Sequence, residues 1–252
     1  MNKKIKKIID KKNKSKIVCL TAYSKNIAEI VDNHADIVLV GDSLGSVLYN
    51  YKTTRKVNLK MMIEHTKSVR MGVKKSLLVI DLPYNTYRNK SEALKNSKVA
   101  IKETKCDAVK VEGGERVQHI VSHLVKNKIP VLGHIGLTPQ TVKGKFKSVG
   151  KSQKEKNKLI RDAKALEKNG AFGIVLECTY SDISKKISNL IKIPTIGIGS
   201  GLNCDGEIRV IDDIIGSYPW FTPPFASPFC SVSDNIREAV KTFQKVINEN
   251  SN

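Results

Sequence analysis

Eight short apolar runs recur along this chain, each separated from the next by a stretch with helical periodicity. They cover residues 16–21, 36–40, 77–80, 108–111, 130–133, 172–176, 194–198 and, less sharply, 208–211. The runs are rich in Val and Ile and almost uninterrupted, as strands buried on both faces require. Between them, Leu59, Met62, Ile63, Thr66 and Val69 keep a helical stripe. Val117, Ile120, Val121, Leu124 and Val125 do the same, as do Leu159, Ala163 and Leu166, with Gly170 placed to end that helix. Strands alternating with helices predict a parallel α/β sheet. A closed eight-stranded barrel and an open doubly wound sheet both satisfy the pattern.

The 252 residues fit a single domain of either kind. A helical extension is expected over about residues 1–15 and a closing helix over about 233–248. In the latter, Ile236, Ala239, Val240, Phe243, Val246 and Ile247 share one face behind Ser233 or Asp234 as N-cap.

Composition removes several function classes. The 44 Lys and Arg against 24 Asp and Glu leave a net charge of +20. The lysines are spread over the whole chain and aromatics make up only 6%, so the clustered basic and stacking surface of a nucleic-acid binder is not expected. The lysine-rich start lacks the apolar stretch of a secretory signal, and no apolar run is long enough to span a bilayer. A cytoplasmic protein without membrane or nucleic-acid partners is the expectation. Cys19, Cys106, Cys178, Cys204 and Cys230 form no C-x-x-C pair, which argues against a disulfide framework or a structural zinc site.

The chemistry lies where the runs end. Asp42, Asp81, Glu112 and Glu177 close four of them and His134 closes a fifth. Singly, an Asp after a strand is more often a turn or cap residue, and a lone His more often a satisfied core residue. Together, in a parallel barrel, the C-terminal strand ends converge on the face that carries active sites. Four carboxylates in one place repel one another unless a cation or a shared proton offsets them. Oxygen ligands alone point to Mg²⁺ or Mn²⁺. Lys110 stands inside an apolar run two residues before Glu112, so both side chains project to the same side. The Gly197-Ile198-Gly199-Ser200-Gly201 loop is either a phosphate cradle or a tight packing turn. Residues 46–57 and 138–152 form two long connections on the same face, candidates for lids.

Six motifs in sequence order resemble the ketopantoate hydroxymethyltransferase family: Val40 to Gly45 (VGDSLG), Asp81-Leu82-Pro83, Val109 to Gly114 (VKVEGG), Gly133 to Gln140 (GHIGLTPQ), Leu176-Glu177-Cys178 and Ile196 to Gly201 (IGIGSG). The likeness runs from about Lys16 to Gly216. It implies a single (βα)8 TIM barrel of the phosphoenolpyruvate mutase/isocitrate lyase type, which resolves the choice between barrel and open sheet. It implies transfer of a hydroxymethyl group from 5,10-methylenetetrahydrofolate to 3-methyl-2-oxobutanoate, giving 2-dehydropantoate on the route to pantothenate and coenzyme A. It further implies one Mg²⁺ per subunit ligated by Asp42 and Asp81, with Glu112 in or near the metal shell. The keto acid would be bound by Asp42, Ser43, Asp81 and Lys110, with His134 close by, and Glu177 would accept the proton. Relatives form large homo-oligomers, often decamers.

The chain departs from the family in three places. The loop after Gln140 is short and lysine-rich, Asp212-Asp213 replaces a usual His-Asp, and residues 218–229 diverge. A mutase or lyase on the same barrel is the rival enzyme reading. It would add a catalytic cysteine or further arginines, and the strand ends carry no such cluster.

Overall fold

The computed structural model describes residues 2–142, 147–218 and 226–250. Part of the second long connection (residues 143–146) and most of the divergent 218–229 segment (residues 219–225) lie outside the described residues. The described residues divide into two compact units, Met1–Ile208 and Arg209–Asn252.

Eight parallel strands close into a barrel in sequence order. They are β1 (Ile17–Thr21), β2 (Ile37–Val40), β3 (Leu77–Asp81), β4 (Ala108–Glu112), β5 (Val131–Gly136), β6 (Gly173–Glu177), β7 (Thr195–Ile198) and β8 (Gly206–Arg209). Every residue of β2, β3 and β4 is buried, as a strand with the barrel interior on one face and helices on the other must be. Closure is tight: the Ile17 N–H donates to Asp205 O at 3.0 Å. A side chain at Gly206 would place its Cβ 2.4 Å from Ile17 O, so only glycine lets β8 approach β1 this closely.

Helices follow the strands in the expected alternation. In the first unit they are α1 (Lys3–Asp10), α2 (Lys25–Val31), α3 (Leu44–Val47), α4 (Leu59–Gly72), α5 (Lys90–Thr104), α6 (Gln118–Lys126), α7 (Gln153–Lys168) and α8 (Ser181–Leu190). The predicted stripes are the buried ones: Met62, Ile63, Thr66 and Val69 on α4, Ile120, Val121 and Leu124 on α6, Leu159, Ala163 and Leu166 on α7. Each fully buried Leu or Ile of this kind stabilises by about 1.5–3 kcal/mol. Ser152 and Glu155 start α7 with a reciprocal capping box.

The N-terminal extension is a helix with a job. Ile5 and Ile8 of α1 join the barrel core with Ile17, Leu77, Ala108 and Phe172 from the strand starts. Lys4 Nζ donates to Ser76 O (2.8 Å), and Lys12 Nζ to Ser188 O (2.6 Å) and Asp205 Oδ2 (2.7 Å). This end of the barrel is thereby plugged, which leaves the C-terminal strand ends as the place for chemistry.

Two local expectations are corrected. The eighth strand is Gly206–Arg209, and Ile211 begins the short helix α9 (Ile211–Ile215) of the second unit. The apolar run at 208–211 therefore comprises the last two strand residues, Val210 as helix N-cap, and the first helical residue. The final helix, α10 (Val232–Glu249), has Ser231 as its N-cap residue, with Ser231 Oγ donating to Asp234 Oδ2 at 2.5 Å. Within the second unit, Gly216 ends α9 in the left-handed conformation, and Ser233 N–H donates to Gly216 O at 3.0 Å. Asp212 accepts from Ser217 and Asp213 from Tyr218. No residue of α10 is buried, and Ile236, Val240 and Phe243 are each more than half exposed. No described helix is long and apolar enough to cross a membrane.

Candidate active site

Asp81, Glu112 and Glu177 are the last residues of β3, β4 and β6, and His134 lies in β5. Barrel register places them side by side. Asp81 pairs with Lys110, Glu112 with His134, and Gly136 with Glu177. Asp42 lies two residues beyond β2, in the turn that enters α3. Its backbone N–H donates to Asp81 Oδ2 at 3.0 Å. Asp42, Asp81, Lys110, Glu112 and His134 are all buried.

One cation serves the cluster from within. Lys110 Nζ stands 2.5 Å from Asp81 Oδ1. Burial alone would lower the Lys110 pKa, but Asp81, Asp42 and Glu112 more than reverse this and hold the ammonium charged. The carboxylates are not fully offset. Burial pushes the Asp42 carboxyl up to about 7, with Asp81 adding to the rise and Lys110 and a Gln140 hydrogen bond opposing it. Burial likewise pushes Glu112 up to about 9 against the pull of Lys110. Three acidic groups around one lysine leave a surplus that a bound proton or a further cation must offset.

That surplus decides whether a cation fits. Among the described residues, no group of three or more His, Cys, Asp or Glu side chains is arranged to hold a metal by itself. A small hard cation does not need one, since Mg²⁺ is usually held by one or two carboxylates and completed by water and substrate oxygens. Asp42 and Asp81 are the adjacent pair that would suit such an ion, with the Asp42 N–H on Asp81 Oδ2 and Lys110 on Asp81 Oδ1. Glu112 Oε1 accepts the Gln140 N–H at 2.9 Å, while Oε2 lies 3.5 Å from His134 Nδ1 without a hydrogen bond between them.

His134 bridges the cluster to Glu177, with Nε2 3.2 Å from Glu177 Oε2. Neither ring nitrogen has a well-directed hydrogen bond, although the side chain is sealed from solvent. Glu177 differs from its neighbours in being open, with 21% of its side chain exposed. The backbone around it is shaped for that placement. Gly136 has φ +100°, and a Cβ there would stand 2.3 Å from Glu177 O. Cys178, directly after Glu177, is left-handed at φ +47° and is pinned by its N–H to Ile198 O at 2.8 Å. Strain of about 1–3 kcal/mol is the usual cost of such a residue, and it recurs at functional sites.

Ser43 is half-buried beside Asp42, its Oγ 2.8 Å from the Tyr23 hydroxyl. Every residue predicted for the site, Asp42, Ser43, Asp81, Lys110, Glu112, His134 and Glu177, thus lies on or beside the same strand ends. The glycine loop after β7 is a packing turn: Ser200 Oγ donates to Leu176 O at 2.7 Å, and a Cβ at Gly201 would meet Ser181 Oγ at 2.6 Å.

Two site residues escaped sequence reasoning. Gln140 is 1% exposed and hydrogen-bonded to both Asp42 and Glu112. Tyr87 is buried with its hydroxyl on Gln140 Oε1. Gln140 closes the GHIGLTPQ motif, which was the available signal. Tyr87 sits in an unremarkable loop and had none.

Comparison with known proteins gives one answer in sequence and one in fold. The sequence model of a family described as ketopantoate hydroxymethyltransferase matches residues 2–251. A 3-methyl-2-oxobutanoate hydroxymethyltransferase of Pelagibacter ubique (strain HTCC1062) is 55% identical over 245 residues, covering 97% of this chain and 95% of the relative. One from Rhizobium etli is 44% identical, covering 90% of this chain and 84% of the relative. Among solved structures, the phosphoenolpyruvate phosphomutase of Streptomyces platensis subsp. rosaceus superposes with a TM-score of 0.66 at 9% identity, covering 98% of this chain and 87% of that one. A 2,3-dimethylmalate lyase of the PEP mutase/isocitrate lyase superfamily gives 0.61 at 11% identity, covering 99% and 89%. At such identities these structures speak for the barrel type alone.

Proposed function

We propose, from the premise that the chain belongs to the ketopantoate hydroxymethyltransferase family, that its strand-end cluster is the site of hydroxymethyl transfer from 5,10-methylenetetrahydrofolate to 3-methyl-2-oxobutanoate. The observation that carries the reading is a division of labour between carboxylates. Asp42, Asp81 and Glu112 are buried around Lys110, while Glu177 alone of the four is partly open and rests against His134.

The keto acid brings a carboxylate and a keto oxygen, two hard acceptors that suit the buried, cation-hungry half of the site. Asp42 and Asp81 would hold one Mg²⁺ per subunit, with Glu112 bordering its shell. When bound, the ion supplies Lewis-acid polarisation of the keto oxygen and acidifies the neighbouring C–H. Lys110, fixed by Asp81, is the chain's own positive charge for the substrate's anionic end and for negative charge that develops on the keto oxygen. Ser43 and the Asp42 turn contribute polar contacts on the same side.

Glu177 accepts the proton from C3. Its exposure lets it reach a substrate in the mouth, and His134 at 3.2 Å from Oε2 restrains its rotamer. C3, freed of its proton, bonds to the methylene carbon delivered by the folate. Both carbon–nitrogen bonds that hold this carbon to the folate break, water supplies the hydroxyl oxygen of 2-dehydropantoate, and the two folate nitrogens take up the protons released from C3 and from water. The reaction commits the product to pantothenate and coenzyme A, in the cytoplasm. The exposed Ile236, Val240 and Phe243 face of α10 supports a homo-oligomer.

The experiment is product formation by purified protein. 2-Dehydropantoate should appear only with 3-methyl-2-oxobutanoate, 5,10-methylenetetrahydrofolate and a divalent cation all present. Turnover of a phosphonate or of a 2-methylmalate-type substrate instead would replace this reading with that of the rival lyase or mutase.

A further inference from the structure

Gln140 makes more bonds across the barrel mouth than any residue given a role above. Its Nε2 donates to Asp42 Oδ2 at 2.9 Å and to Leu82 O at 3.1 Å. Its Oε1 accepts from the Tyr87 hydroxyl at 2.5 Å. Its backbone N–H donates to Glu112 Oε1 at 2.9 Å, and its carbonyl accepts from Arg55 Nε at 2.9 Å. Five partners, from the stretches after β2 and β3 and from the end of β4, meet at one buried residue.

The amide is chemically required there. The Leu82 carbonyl facing Nε2 cannot donate and the Tyr87 hydroxyl donates to Oε1, so the amide has a single satisfied orientation. Two donors and one acceptor on a side chain of this length describe glutamine. Glutamate could donate at most once and would add charge beside Asp42, and asparagine is one methylene short.

Arg55 fastens this arrangement from outside. It is exposed, yet its Nη2 also donates to Val142 O at 2.8 Å, and its guanidinium lies 5.4 Å from the centre of the Tyr84 ring. The connection after β2 and the segment after β5 are thus tied together over the mouth, with Gln140 as the knot beneath.

We propose that Gln140 is a positioning residue that sets the Asp42 carboxylate for the keto acid and its cation, and that Arg55 locks Gln140 in place from the surface. The proposal rests on the reading above that Asp42 holds the cation. Gln140→Met keeps the length and removes both donors. Arg55→Ala touches no carboxylate and lies on the surface, so it tests the same idea without threatening the core.

The test is direct binding of Mg²⁺ by calorimetry and of Mn²⁺ by electron paramagnetic resonance, on the full-length protein, beside melting temperature and steady-state kinetics. Gln140→Met should weaken cation binding by about 10- to 100-fold, as loss of a supporting contact does. The KM for 5,10-methylenetetrahydrofolate should stay within about twofold. Arg55→Ala should shift cation affinity in the same direction by a smaller factor. A lower melting temperature with unchanged cation affinity in Gln140→Met would show a purely architectural residue and overturn the proposal. Unchanged affinity in Arg55→Ala would overturn the lock. If Gln140→Met does not fold, Arg55→Ala decides alone. Failure of the unaltered protein to bind either cation would instead overturn the reading of the site itself.

Discussion

Lys110 Nζ and Asp81 Oδ1 stand 2.5 Å apart across the β3–β4 register, with 7% and 3% of their side chains exposed. Lys110 is the internal counter-charge of a cluster whose other ionisable members are Asp42, Asp81, Glu112, Glu177 and His134. Removing the cation should therefore be costly before any substrate is considered. Lys110→Met should lose about 3–5 kcal/mol of unfolding free energy in metal-free buffer, the usual penalty for stranding a buried charge. Added Mg²⁺ should return part of it. Urea denaturation with and without the ion checks this, and a loss under about 1 kcal/mol would contradict the assigned electrostatics.

Glu177 is separable from that cluster by its exposure. Glu177→Gln keeps shape and the approach of His134 but cannot take a proton. Keto-acid binding should stay within a few-fold while the proton-transfer rate falls by about 10²–10⁴. Equilibrium binding together with exchange of the C3 hydrogen measures both. Retained exchange would assign the base to another residue.

Asp32 tests how the site strand is held. Its carboxylate accepts the N–H groups of Lys74, Lys75 and Ser76 at 2.8–3.1 Å, in the turn that launches β3 and so places Asp81. Burial alone would raise its pKa, but these bonds outweigh burial and hold it below the ordinary 3.8. A depressed carboxyl stabilises above its unfolded value and loses that contribution as pH falls through the folded one. Asp32→Asn should thus cost about 1.5–3 kcal/mol at neutral pH. The gap from the unaltered protein should close as the pH drops below 3.8. A pH-independent difference would assign the effect to packing.

The outer face of α10 bears on assembly. Ile236, Val240 and Phe243 are 54%, 60% and 67% exposed on one side of this helix. Val240→Asp with Phe243→Asp should shift sedimentation to smaller species without changing helix content. A monomeric unaltered protein would remove the oligomer reading.

Much of this was legible in the residue order. The strands could be read because barrel strands are buried on both faces, which writes an unbroken apolar run. β8 misled because its buried and exposed residues alternate, with Glu207 facing out, and its apolar signal merged with Ile211 of the next helix. The site could be read because a charged residue at the end of a buried run has no packing reason to be there, and five strands repeat that oddity. Lys110 announced itself in the same way. Gln140 and Tyr87 did not. Gln140 meets Asp42 across 98 positions and Tyr87 across 53, from loops without periodicity. Only the closed barrel brings such partners together. The choice of substrate was not legible from strand ends either, since enolising enzymes of several kinds need the same buried acids, and it came from the family motifs.

The central claim is that a cation-dependent carboxylate site makes the C3 hydrogen of 3-methyl-2-oxobutanoate labile. The most direct test follows that hydrogen by nuclear magnetic resonance in deuterated buffer, with protein and keto acid but no folate. The account predicts exchange that needs Mg²⁺, stops with chelator, and is abolished in Asp42→Ala and Glu177→Gln. Exchange that persists in chelator, or none in a protein that demonstrably binds Mg²⁺ and the keto acid, would contradict it.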